Sequence, residues 1–240
     1  MAAPTLLLGS SLTAKGAWTS SAASPWACAG LAVGVDSVNP KQWACEDSVV
    51  VTPLEDGGLL AAVADAHWGG RSGEVIAEGL ADAWRETRAS DTPAARLRAA
   101  LFLLDGRLLE RGRDDRSETT ALLAHVKDRT LSYANVGDSL LLVIGRAAAA
   151  IKNFPTPVFM GGRPLATLPI PVGVGTVALN QGDVVLLASD GLDEAVSGFD
   201  PEQVALALRS GEPLQARVDG LLKHVSASGR DNLGVVAISV

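Results

Sequence analysis

Short apolar runs, each closed by a polar turn, restrict the fold of this chain more than any other feature. ACAGLAVGV (27–35), DSVVVTP (47–53), GGLLAAVAD (57–65) and DVVLLASD (183–190) are rich in Val, Leu and Ala and bounded by Gly, Asn, Asp or Ser. Runs of that length and composition read as strands, too short for helices that must bury a stripe. TTALLAHV (119–126), RTLSYANV (129–136) and SLLLVIG (139–145) follow one another across connections of a few residues. Parallel neighbours would need long crossovers, so these three are expected to form an antiparallel meander. GTVALN (175–180) and the closing NLGVVAISV (232–240) complete the strand set.

The period changes twice. Val75, Ile76, Gly79, Leu80, Ala83 and Trp84 recur at three- and four-residue spacing, which predicts a helix over about 70–88. Asp91-Thr92-Pro93 then opens a second helix with Pro near its first position and the stripe Leu97, Leu101, Leu104, Leu108. Further helices are expected over 203–208 and 213–225. Strand runs interrupted and followed by helical pairs, without regular alternation, predict an α+β domain: a central antiparallel β-sandwich flanked by helices on both sides (αββα). No repeat or linker divides the chain, so residues 1–240 are expected to be one domain, with 1–25 either a loosely held arm or an edge strand. Residues 153–172 hold five of the twelve prolines and read as a long loop, a kind of segment that is often functional.

Composition excludes several classes. With 48% hydrophobic and 20% charged residues the chain is globular rather than disordered. A net charge of -7 argues against nucleic acid as a partner, because phosphate-backbone binding needs a dense basic surface. The apolar run PTLLLG is far below the roughly 20 residues that span a bilayer, and Lys15 follows it instead of preceding it, so neither a membrane anchor nor a secretory signal is expected. Two cysteines, Cys28 and Cys45, do not make a disulfide framework in a chain of this length, and a reduced, cytoplasmic setting is expected.

The polar residues at the strand ends carry the chemistry. Glu46-Asp47 opens one strand, Asp65 ends another, Asp138 lies in ANVGDS, Asp190 ends VVLLAS, and Asp231 precedes NLGVV. One acid at a strand end is ordinary. Several, if the ends meet at one edge of a sandwich, would repel, and burying each unpaired would cost roughly several kcal/mol. A divalent cation relieves that conflict. All-oxygen ligands suit Mg²⁺ or Mn²⁺, and two such ions about 3.5–4 Å apart can generate a hydroxide and clamp a phosphoryl group.

Taken in order, Glu46-Asp47, Asp65-Ala66-His67-Trp68-Gly69-Gly70, Thr119-Thr120-Ala121, Ala134-Asn135-Val136-Gly137-Asp138-Ser139, Ala188-Ser189-Asp190-Gly191-Leu192 and Asp231-Asn232 resemble the metal-dependent protein phosphatases, the type 2C serine/threonine class. The resemblance implies a β-sandwich flanked by helices with a dinuclear Mn²⁺ or Mg²⁺ centre at one edge. It makes Asp65 the carboxylate bridging both ions, gives Asp190 and Asp231 to one ion, and gives Glu46 and the Ala66 carbonyl to the other. Asp47 would orient metal-bound water, Asp138 and Asp190 match the acids of a third, weaker site, and His67 is similar to the histidine proposed to protonate the leaving alcohol. The implied substrate is a phosphorylated protein, opposing a serine/threonine kinase.

Two departures stand out. Gln42 occupies the place where the family commonly has a phosphate-binding arginine. An amide lacks the charge and the fork, which leaves Lys41 or Arg71 as substitutes. The usual DGHGG has become DAHWGG, so Trp68 could form an apolar wall beside the site. Two alternatives stand beside the phosphoprotein phosphatase: a non-catalytic binding module on the same fold, and a phosphatase of small phosphate esters.

Overall fold

The computed structural model describes residues 3–35, 43–111, 116–169, 172–195, 201–209 and 211–240, with the side chains of 194 and 195 excepted. Two antiparallel sheets stack face to face. One runs in the spatial order β1 (Thr5–Leu8), β4 (Asp47–Pro53), β5 (Leu59–His67), β7 (Ala121–Lys127), β8 (Thr130–Val136), β11 (Gly173–Ala178), with the two-residue β6 (Glu118–Thr119) pairing to the end of β5. The other runs β10 (Ala149–Ile151), β9 (Leu140–Ile144), β12 (Val184–Ala188), β13 (Leu233–Ser239), β3 (Ala27–Ala32), β2 (Trp18–Ser24). Helices α1 (Arg71–Glu86) and α2 (Pro93–Leu109) cover the first sheet, and α4 (Pro201–Leu208) and α5 (Leu214–Ser228) cover the second. The five-residue α3 (Gly191–Ala195) follows β12. The α+β sandwich with helices on both outer faces is therefore the observed fold.

Strand alternation explains three separate hydrophobic layers. In β5, Leu59, Ala61 and Val63 face the space between the sheets, while Leu60, Ala62 and Ala64 face the α1–α2 layer. Val49 and Val51 of β4, Val185 and Leu187 of β12, and Val236 and Ile238 of β13 join the inter-sheet set. On the far side, Leu186 and Val235 pack with Leu208, Val218 and Leu222 of α4 and α5. A strand buried on both faces has no polar alternation left to show, which is why these runs read as continuously apolar.

The helices obey the sequence signals. Ile76, Leu80, Ala83 and Trp84 are buried on α1, and Leu97, Leu101, Leu104 and Leu108 on α2. Thr92 caps α2, its side chain accepting the Ala95 N–H, and Pro93 stands in the first turn, where a missing N–H costs nothing. The N-terminal segment supplies two edge strands, β1 against β4 and β2 against β3. Cys28 and Cys45 are both buried and not joined, and burial pushes the Cys28 thiol up to about 11. No helix among the described residues is long and apolar enough to cross a membrane.

The meander expected over 119–145 is corrected. β7 and β8 pair as expected, but β9 leaves for the second sheet, where it lies between β10 and β12. The connection Gly137-Asp138-Ser139 makes that crossing. Gly137 has φ +99°, and a Cβ there would lie 2.5 Å from Thr120 Cβ, so the backbone path requires glycine. The consequence is functional, because the crossing carries Asp138 over the open edge of the sandwich.

Candidate metal centre

The same alternation that fills the core places the acids. Asp47 continues the inward set of β4 and Asp65 that of β5, and the two face each other in register across the ladder. Like charges directly opposite are unfavourable. Both are nearly inaccessible, at 1% and 2% exposure. Ser189, two residues beyond Leu187, donates its hydroxyl to Asp47 Oδ2 at 2.7 Å and accepts the Gly234 N–H at 2.9 Å, tying the two sheets together.

Carboxylate oxygens of Asp65, Asp138 and Asp190 lie within 4.8 Å of one another. Asp138 Oδ1 is buried and has no hydrogen-bond partner among the described residues. Desolvation, and then the nearby negative Asp231, push the Asp138 carboxyl above its ordinary pKa, while its own N–H and His67 pull the other way. An orphaned carboxylate oxygen in an all-oxygen cluster fits a hard divalent cation and gives no reason to expect zinc.

Each remaining residue has a definite place. Glu46, 1% exposed, accepts the Gly69 N–H through Oε1 at 2.7 Å, so its carboxylate is held against the DAHWGG turn. Asp231 accepts the Asn232 N–H at 2.7 Å. Ala66 lies at the end of β5, pairing with Thr119. His67 Nε2 is 4.0 Å from Asp65 Oδ1, and the ring packs on Phe159 at 4.6 Å. Trp68 has φ +59°, is 56% exposed and stands edge-on to His67, a wall at the rim. Arg71 turns its guanidinium to Glu74 (3.0 Å) and Glu78 (3.6 Å) on α1. Lys41 and Gln42 lie outside the described residues.

The sequence named Thr120, Ser139 and Asn232 as motif residues without their hydrogen-bond partners, and it missed Asp105. Thr120 Oγ1 accepts the Asp65 N–H at 3.1 Å and shares a hydrogen bond with Ser139 Oγ at 2.9 Å, so one hydroxyl links the Asp65 strand to the Asp138 crossing. Asn232, oriented to satisfy both ends of its amide, donates to Ala44 O and accepts from Glu46 N, 3.0 Å each, fixing the approach to Glu46. Asp105 of α2 accepts Gly161 N (3.3 Å) and Leu165 N (2.8 Å), anchoring the proline-rich loop that carries Phe159. Small hydroxyl and amide residues beside glycines were the available signal, but such residues are common in turns.

A family model described as Stage II sporulation protein E (SpoIIE) matches residues 55–240. The chain belongs to the SpoIIE family. The SpoIIE match includes Asp65, Asp138, Asp190 and Asp231 and begins after Glu46 and Asp47. "Probable protein phosphatase 2C 71" of Oryza sativa subsp. japonica is 31% identical over 123 residues, covering 47% of this chain. The match takes in only 24% of the rice protein's length. A bacterial serine phosphatase superposes with a TM-score of 0.71 at 17% identity, over 89% of this chain and 97% of its own. The S. agalactiae serine/threonine phosphatase gives 0.68 at 17%, over 93% and 100%. These superpositions establish the fold that this SpoIIE chain shares with them, and with the sequence matches they bear out the type 2C resemblance read from the motifs.

Proposed function

We propose that this chain is a metal-dependent phosphatase of phosphoserine and phosphothreonine in proteins. The observation that carries the reading is the convergence of Asp65, Asp138 and Asp190 within 4.8 Å, with His67 Nε2 4.0 Å from Asp65. Asp65, Asp190 and Asp231, with Glu46 and the Ala66 carbonyl, would hold two ions, Mn²⁺ or Mg²⁺, and Asp138 would contribute to a third. Bound ions of this kind lower the pKa of a coordinated water and neutralise charge on the phosphoryl oxygens.

The chain's own residues do the rest. Asp47, whose Oδ2 accepts the Ser189 hydroxyl, would orient the attacking water. His67 holds a proton at Nε2 for the departing serine or threonine oxygen, which leaves poorly as an alkoxide. Phe159 and Trp68 limit how that imidazole can turn. With Arg71 engaged on α1, phosphate binding falls to the segment that holds Lys41 and Gln42, and Gln42 would donate a neutral hydrogen bond in place of a guanidinium fork. The family implies phosphoprotein substrates. Opposition to a serine/threonine kinase and a cytoplasmic setting, on one domain spanning 1–240, complete the proposal.

The test is release of phosphate from a phosphothreonine peptide by the purified chain. Release is expected with Mn²⁺ or Mg²⁺ and none with a chelator. A correctly folded chain inactive on phosphopeptides in either metal would defeat the reading. A clear preference for small phosphate esters would replace the substrate and leave the centre.

A further inference from the structure

Trp68 and Gly69 follow β5 with φ +59° and +112°, two successive residues with positive φ. A bulky side chain is rarely found there, and such a turn persists only where its surroundings fix it. Two side chains grip the backbone of Gly69. Its N–H is donated to Glu46 Oε1 at 2.7 Å, and its carbonyl accepts the hydroxyl of Ser117.

Ser117 is itself held from three elements. Helix α1 starts at Gly70 without a side-chain cap, and the Ser72 N–H, one of the first of that helix, is donated to Ser117 Oγ at 3.1 Å. Ser72 Oγ lies 2.5 Å from Ser117 Oγ and 2.9 Å from Glu118 O in β6. With the Ser117 proton given to Gly69, Ser72 supplies the proton between the two hydroxyls and shares it with the Glu118 carbonyl. Arg111, just past α2, donates Nε to Leu108 O at 3.3 Å and Nη2 to Ser117 O at 3.2 Å, tying the serine to the end of that helix. Ser72 and Ser117 are 0% and 2% exposed, so water does not compete for these bonds. The start of α1, β6 and the end of α2 therefore converge on the glycine whose N–H meets Glu46.

We propose that Ser117 and Ser72 are positioning residues, which set the Glu46 carboxylate for a metal ion by holding the Gly69 N–H where Oε1 meets it. The inference rests on the metal-dependent reading of the site. It also predicts selectivity. The ion assigned to Asp65, Asp190 and Asp231 takes its ligands from β5, the end of β12 and the approach to β13, and should be spared.

The experiment is calorimetric titration of Mn²⁺ into the full chain and into Ser117→Ala, with hydrogen exchange at Gly69 followed by NMR on the chelator-treated proteins. Ser117→Ala should weaken one ion about tenfold or more, the usual result of removing a ligand's support, and leave the other within about twofold. Exchange at Gly69 should quicken by at least about tenfold while Leu80, in the middle of α1, keeps its rate. Thr92→Ala, which removes the α2 cap and so lowers stability elsewhere, should change neither reading. In a Glu46→Gln background Ser117→Ala should have no further effect on metal binding, because a residue acting through another is not additive with it. Should Ser117→Ala not fold, Ser72→Ala removes the next link and should still weaken the same ion by about threefold or more. The proposal fails if the folded serine variant binds both ions like the parent, if Thr92→Ala weakens them equally, or if the loss persists on Glu46→Gln. A parent chain that binds no Mn²⁺ would overturn the metal reading itself, and this inference with it.

Discussion

Where β4 begins and β5 finishes, Asp47 and Asp65 stand at positions where the strand alternation would otherwise place another Val. Where β9 and α4 finish, guanidinium groups cap carbonyls, Arg209 on Gly145 O and Arg217 on Leu208 O. The acids are set by the strands and the connection between them: Asp47 and Asp65 follow the inward face, Ser189 meets Asp47 from the opposite sheet, and Asp138 is carried over by the Gly137 crossing. The arginines at the remote end come from α5 and the end of α4, on long side chains that reach the end of α4 and the turn after β9. The difference teaches that an acid cluster on short side chains is a property of the fold's edge. A basic cluster depends on how the covering helices happen to end.

That contrast can be broken first at the acids. Asp65→Asn should reduce phosphopeptide turnover by more than about 10²-fold, exceeding the usual loss from disturbing a ligand's supporting contacts. Steady-state kinetics with the fold checked by circular dichroism reads it. His67→Asn should cost about 10²-fold on a phosphopeptide and much less on an aryl phosphate, whose leaving group needs no proton. Equal losses on both substrates would remove the acid role from His67.

Gly191→Ala probes the geometry rather than the charge. A Cβ there would lie 1.7 Å from Asn232 O, so the Asp190 and Asp231 segments would be forced apart. Overpacking of this kind costs about 1–3 kcal/mol, and denaturant titration should show it together with weakened metal binding.

The smallest effect lies on the remote side of the first sheet. His125, 5% exposed, stacks on Trp84 at 5.0 Å, with Arg96 over the same indole. Burial lowers its pKa, opposed by Asp56 and reinforced by Lys127 and Arg96. Below the unfolded value of about 6.5 the unfolded chain therefore binds the proton first, so stability falls as pH drops through 6.5 and levels off below the folded pKa. His125→Gln should flatten that stretch of the stability profile, and urea titrations from pH 7.5 to 5 would measure it. An unchanged slope would place the acid sensitivity elsewhere.

The sandwich was legible because its strands are buried on both faces and its helices carry clear stripes; Leu97, Leu101, Leu104 and Leu108 fell where the period put them. The strand exchange at Gly137 was not, since nothing in a three-residue connection tells a hairpin from a crossing to the opposite sheet. The principal acids were legible through their order along the chain. Thr120, Ser139 and Asn232 were visible as members of those motifs but their partners were not, because they act across long sequence separations that only the fold brings together. For Arg71 the sequence did not show that Glu74 and Glu78, one and two turns along the same helix, pair with its guanidinium.

Calorimetric titration of Mn²⁺ into the full chain and into Asp65→Asn tests the central claim most directly. The parent chain should bind at least two ions saturably, and the folded variant should lose that stoichiometry. Absence of saturable binding to the folded parent, or an identical isotherm for the variant, would contradict a metal centre at the acid edge.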